Sequence, residues 1–137
     1  MSDRIFVTKS DLGKLRSLLE SRHAGYSRDR PYLDKLEEEL DRAEIVESYA
    51  VAHDVVTMNS KVRLRDLDSG EVNEYRLVFP SRARSKNNVS VLAPIGTAIL
   101  GYRAGHVVEW QVPKGIRRLQ ILEVVYQPEA AELAVLS

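Results

Sequence analysis

Apolar residues along the first fifty positions recur at steps of three and four. Leu12, Leu15 and Leu19, widened by Leu18, predict a helix over Asp11 to His23, and Leu33, Leu36, Leu40 and Ala43, with Val46 nearby, predict a second over Pro31 to Ser48. Thr8 or Ser10 suits the first N-cap, with Asp11 favourable in the first turn; Ser27 or Asp29 suits the second, with Pro31 just inside. The pattern breaks at His23-Ala24-Gly25-Tyr26, so the two stripes are expected to close on each other as a short antiparallel helical hairpin, a coiled coil within residues 1–50. One seam buries one stripe only, which leaves Asp34, Lys35, Glu37, Glu38, Glu39, Asp41 and Arg42 for solvent.

From His53 to Ser60 no helical period survives, and 51–60 is expected to be an extended linker. Beyond it the period becomes two. Val62 and Leu64 alternate with Lys61, Arg63 and Arg65; Asp68-Ser69-Gly70 turns the chain; Tyr75, Leu77 and Phe79 share a face; Val108, Trp110 and Val112 alternate with Glu109 and Gln111. Leu119 to Tyr126 is almost wholly apolar, as an inner strand requires. Between these strands Val89 to Gly105 switches from sheet to helix and back. Pro94 ends the ladder and presets a helical turn, Ala98-Ile99-Leu100 packs it, and Gly101 and Gly105 bound it. Residues 61–137 are thus expected to form an antiparallel sheet of five strands around one short helix, and the whole chain is α+β. The short helix reads either as a core-filling crossover or as a rigid apolar knuckle used for docking.

Charge and composition narrow the function. Lys and Arg total 20 and so do Asp and Glu, so no net field pulls the chain toward nucleic acid. With no cysteine, disulfides and thiolate catalysis are excluded. The start Met-Ser-Asp-Arg lacks a leader pattern and no run approaches the ~20 apolar residues of a membrane span, so a cytoplasmic protein away from membranes is expected. His23, His53 and His106 fall in different elements without ligand spacing, and Glu37-Glu38-Glu39 points in three directions on a helix, so neither predicts a metal. Asp54, beside His53, is expected to bond local backbone at the hinge. No phosphate loop, nucleophile elbow or acid and base pair is visible, so neither enzyme, cofactor nor small-molecule substrate is expected. The loop Ser81 to Asn88 places Arg82, Arg84 and Lys86 together, a candidate patch for a weak nucleic-acid contact, although no aromatics interleave them.

The octapeptide His53-Asp54-Val55-Val56-Thr57-Met58-Asn59-Ser60, with Leu40-Asp41-Arg42-Ala43, Ala93-Pro94-Ile95-Gly96 and Tyr126-Gln127-Pro128-Glu129-Ala130, resembles the Rnk family, regulators of nucleoside diphosphate kinase. More distantly the chain is similar to the C-terminal domain of the bacterial Gre transcript-cleavage factors through Pro94-Ile95, Leu100-Gly101 and Gly105. It departs from Gre at His106 and at Pro113-Lys114-Gly115, both in turns. The resemblance implies an FKBP-like arrangement for 61–137. It implies RNA polymerase as partner, entered at the secondary channel and docked through Pro94, Ile95 and Gly96, and an influence on nucleoside diphosphate kinase levels. The tip residues Tyr26 and Asp29 would sit at the channel entrance. Gre factors are similar in carrying acids at the tip of a much longer hairpin, where they help hold magnesium; here Asp29 is flanked by Arg28 and Arg30, so channel occupancy without cleavage is expected. The fold name also raises prolyl isomerase activity, which needs a deep aromatic-lined pocket, whereas Tyr75, Phe79, Trp110 and Tyr126 are expected in the core.

Overall fold

A computed structural model describes residues 4–23 and 30–136. The expected tip residues Tyr26 and Asp29 lie outside them. In chain order the elements are β1 (Phe6–Thr8), α1 (Lys9–His23), α2 (Arg30–Asp41), β2 (Glu44–Val46), β3 (Lys61–Asp66), β4 (Val72–Val78), β5 (Asn88–Ser90), α3 (Pro94–Ile99), β6 (Val107–Val112), β7 (Gly115–Tyr126) and α4 (Pro128–Leu136). Helices come first and a five-stranded sheet follows, a mixed α+β arrangement.

The sheet runs β5-β4-β3-β7-β6. Its inner pairs are antiparallel: Val62 faces Tyr75 on β4 and Val124 on β7, and Trp110 faces Arg117 across the β6 and β7 hairpin. At the far edge β5 lies parallel to β4, Leu77 opposite Val89. The all-antiparallel expectation is corrected there: the loop from Pro80 to Asn87 returns the chain to the start of β4's edge, and a three-residue strand carries no sequence signal of direction. β7 is interior, as its apolar run requires.

Two further corrections concern the helices. α2 stops at Asp41 rather than Ser48; Glu44–Val46 then pairs with Phe6–Thr8 as a small parallel sheet that ties together the chain entering α1 and the chain leaving α2. A second helix, α4, follows β7, so α3 is not the sheet region's one helix. In the segment 51–60, expected as an extended linker, Val51, Val55, Val56, Thr57, Met58 and Ser60 are buried, and backbone bonds join Val56 N to Tyr102 O (2.9 Å), Gly101 N to Val56 O (2.8 Å) and Asn59 N to Leu77 O (2.6 Å).

One core crosses the chain. Leu15 and Leu19 from α1, Leu33, Leu36 and Leu40 from α2, Val56 and Met58, Leu64 and Leu77 from the sheet, and Ile95 and Ile99 from α3 pack as a single buried cluster. The helices therefore spend their stripes on the sheet region as well as on each other. Glu39, expected in solvent, is buried among them and meets Arg42 at 2.6 Å and Lys35 at 3.5 Å. Tyr126 departs in the other direction: it is exposed at the end of β7, with the Arg76 guanidinium 5.4 Å above its ring. Tyr75 and Phe79 pack against the core as expected.

Candidate functional site

The stretch around α3 is shaped by two glycines. At Gly96 any Cβ would overlap the Ser90 carbonyl oxygen, so the helix backbone lies directly on the end of β5; Thr97 Oγ1 donates to the Val91 carbonyl at 2.6 Å and locks the same contact. Gly101 has φ +83°, and a Cβ there would sit 2.7 Å from Ile5 Cβ. Its carbonyl accepts the Phe6 N–H at 3.0 Å, so the turn that ends α3 is also the seat of β1.

Of the three residues expected to dock, only Pro94 is exposed. Ile95 is 7% exposed and Gly96 is buried. Pro94 opens instead onto a groove of about 510 Å³ whose walls are Pro31, Tyr32 and Lys35 of α2, Thr97 and Ala98 of α3, Glu109 of β6 and Ile116 of β7. Tyr32 and Ile116 are exposed at 44% and 60%. α2, α3 and the sheet thus build one mostly apolar trough whose lining includes a cation, Lys35, and a carboxylate, Glu109, a surface suited to a protein segment rather than to a small polar substrate. Sequence reasoning singled out Pro94 but not the residues that share its groove, Tyr32, Glu109 and Ile116; nothing local announces that α2 and the β6 and β7 hairpin converge.

At the opposite end of α1 lies a buried polar joint. Thr8 caps the helix, its Oγ1 accepting the Asp11 N–H at 3.1 Å. Asp11 Oδ2 accepts the Met58 N–H at 3.0 Å across 47 residues. Burial pushes this carboxyl up to about 6, helped by the nearby charge of Glu129 and opposed by the Met58 bond and by Lys14. Thr57 Oγ1 donates to Glu129 Oε1 of α4 at 2.6 Å, and Gln127 Nε2 donates to the carbonyls of Ala52 and Val55, each at 2.8 Å. Asp54, expected to bond local backbone, instead pairs with Arg103, 3.0 Å from its Nη2. His53 is exposed and His106 stacks on Tyr102 at 4.5 Å; among the described residues no group of His, Cys, Asp and Glu could hold a metal.

The basic loop residues Arg82, Arg84 and Lys86 are all exposed, and Arg82 borders a second groove against α1.

Comparison with known proteins accounts for this architecture. The Rnk N-terminus model matches residues 3–46, and the regulator of nucleoside diphosphate kinase of Escherichia coli (strain K12) is 42% identical over 130 residues, covering 93% of each chain. The chain belongs to the Rnk family. Residues 51–126 of this Rnk-family chain also match the C-terminal model of transcription elongation factors GreA and GreB. The elongation factor GreA of Chloroherpeton thalassium is 31% identical over 155 residues, covering 90% of this chain and 98% of its own. Among solved structures, a prokaryotic transcription elongation factor GreA/GreB from Nitrosomonas europaea aligns with a TM-score of 0.74 and 38% identity, over 91% of this chain and all of its own. The two family models adjoin at the 3-10 turn of Ser48–Ala50, beside the buried segment that joins helices to sheet. No described helix is long and apolar enough to cross a membrane.

Proposed function

We propose that this Rnk-family protein is a cytoplasmic transcription regulator that binds RNA polymerase at the secondary channel and occupies it without stimulating transcript cleavage. The sheet region, read as FKBP-like, docks through Pro94 and the groove it shares with Tyr32 and Ile116, while the helical pair, read as a hairpin, covers the channel entrance. An influence on nucleoside diphosphate kinase, the enzyme in the E. coli relative's name, belongs to the same proposal.

The observation that carries the reading is the shortness and burial of the helical pair. α1 and α2 have 15 and 12 residues, about 22 and 18 Å at 1.5 Å per residue. Leu33, Leu36 and Leu40 are buried in the core that holds Ile95 and Ile99, so α2 shares the core of the sheet region and lies against α3. A pair used up in this way has no free shaft with which to carry carboxylates into a distant catalytic centre. Between Arg22 and Asp34 the sequence offers one acid, Asp29, between two arginines, a poor start for the converging oxygens that magnesium requires. A prolyl isomerase reading gains little from the groove at Pro94, where among the described lining residues Tyr32 is the one aromatic.

The test is retention of purified protein by immobilised core RNA polymerase. Pro94→Ala and Ile116→Asp alter exposed groove positions and should lower retention without changing the fold. Retention of both variants at the wild-type level would remove the docking assignment.

A further inference from the structure

In a chain with equal numbers of acids and bases, most described cations are spent on ion pairs: Arg4 with Glu44, Lys9 with Glu47, Arg16 with Asp41, Arg63 with Glu74 and Glu123, Arg103 with Asp54, Arg117 with Asp66. Among the described residues, the cationic side chains outside any ion pair or hydrogen bond are Lys14, Arg65, Arg82, Arg84, Lys86 and Lys114. Two of these six, Lys14 of α1 and Arg82, border one broad, shallow groove of about 550 Å³, and Arg84 and Lys86 follow in sequence on the loop that supplies Arg82.

The groove has two kinds of surface. α1 contributes Gly13, Lys14, Ser17, Leu18 and Ser21, which the helical period sets on one face; Phe79, Ser81 and Arg82 also line it. Gly13 leaves open space where a side chain would stand. Leu18 and half-buried Phe79 add apolar surface, while the hydroxyls of Ser17 and Ser81 make no hydrogen bond among the described residues. Asp11, the acid whose field reaches Lys14, is committed inward to the Met58 N–H. Unneutralised cations and free hydroxyls favour an anion, and the apolar surface beside them favours a ligand with a flat apolar face next to its charge.

We propose that this groove binds a nucleotide, its phosphates between Lys14 and Arg82 and its base against Leu18 and Phe79. The same chemistry is presented by a free nucleoside triphosphate and by a single RNA strand, whose phosphates would run on toward Arg84 and Lys86. The site is distinct from the Pro94 groove and is tested on the free protein, so it stands or falls apart from the polymerase reading.

The experiment is calorimetric titration of the whole protein with ATP and, separately, with a single-stranded 12-nucleotide RNA at low salt. Lys14 and Arg82 are exposed, so the double variant Lys14→Ser/Arg82→Ser should keep the wild-type circular dichroism spectrum and unfold cooperatively. It should bind at least tenfold more weakly, whereas Arg65→Ser/Lys114→Ser, which removes two unpaired cations elsewhere, should change affinity less than twofold. Binding of ATP alone identifies a free nucleotide. Tighter binding of RNA, with log affinity falling against log salt at a slope of about −3 for four cations, identifies a strand. Absence of binding by both probes, or equal losses in the two double variants, would overturn the proposal.

Discussion

Replacing Asp11 by Asn isolates the cost of a buried charge at the joint between helices and sheet. Asp11 is 7% exposed, its Oδ2 accepts the Met58 N–H, and burial holds its carboxyl at about 6 against an ordinary value of 3.8. A raised carboxyl binds its proton more tightly in the folded chain than in the unfolded one. The sign follows: this group's contribution is most favourable below about pH 4 and is lost as pH rises toward 6, because only the folded state must then give up a proton it holds tightly. About two units correspond to about 3 kcal/mol over the whole window, of which about 2 kcal/mol falls between pH 4.5 and 7.5. Asparagine keeps an oxygen acceptor for Met58 and never ionises. Urea denaturation of both proteins at pH 4.5, 5.5, 6.5 and 7.5 should show the variant gaining on the wild type by about 2 kcal/mol across the series, other titrations cancelling in the difference. A constant difference at all four pH values, or one that moves toward the wild type as pH rises, would refute the assignment of a buried carboxylate whose desolvation outweighs its hydrogen bonds.

Other consequences are as direct. Gly101→Ala forces a Cβ against Ile5 at a left-handed φ and should cost more than about 2 kcal/mol in the same denaturation assay, whereas Gly105→Ala, with open space at its Cβ, should be limited to the backbone penalty of about 1 kcal/mol. Ile95→Asp places a charge in the core and should lower the melting temperature sharply, so any loss of polymerase binding in that variant should track unfolding; Pro94→Ala should leave melting near wild type. Limited proteolysis under native conditions should spare 51–60, and the fragment 60–137 alone should fail to fold, because Leu15, Leu33 and Leu36 complete its core. A stable, folded fragment would restore the linker first expected there.

The sheet was legible because half-buried strands alternate: Val62 and Leu64, then Leu77, fall on one buried face as their period demands. The helical stripes were legible for the same reason, as was the end of α3 at Gly101. What lay hidden was tertiary. Three-residue strands at Phe6 and Glu44 have no pattern long enough to read. α4 mixes Ala, Leu, Val and Glu without a stripe, because Gln127 and Glu129 anchor it by hydrogen bonds rather than by an apolar face. Pro-Ile-Gly announced a turn of helix but not which residue faces in; Gly96 resting on Ser90 turns Ile95 inward and leaves Pro94 at the surface. Asp11 read as a helix-terminus acid, and its bond to Met58 crosses 47 residues that no local window spans. The Pro94 groove joins four elements, and the residues that would dock with it became visible only once the helices were laid against the sheet.

The most direct measurement uses a stalled elongation complex of RNA polymerase. With a Gre-type factor present, magnesium-dependent shortening of the RNA should decline as this protein is titrated in, and the protein alone should leave RNA length unchanged. Pro94→Ala should require a higher concentration to give the same protection. Shortening of the transcript by this protein alone, abolished in Asp29→Ala, or Gre-stimulated cleavage that continues undiminished at saturating protein, would contradict silent occupancy of the channel.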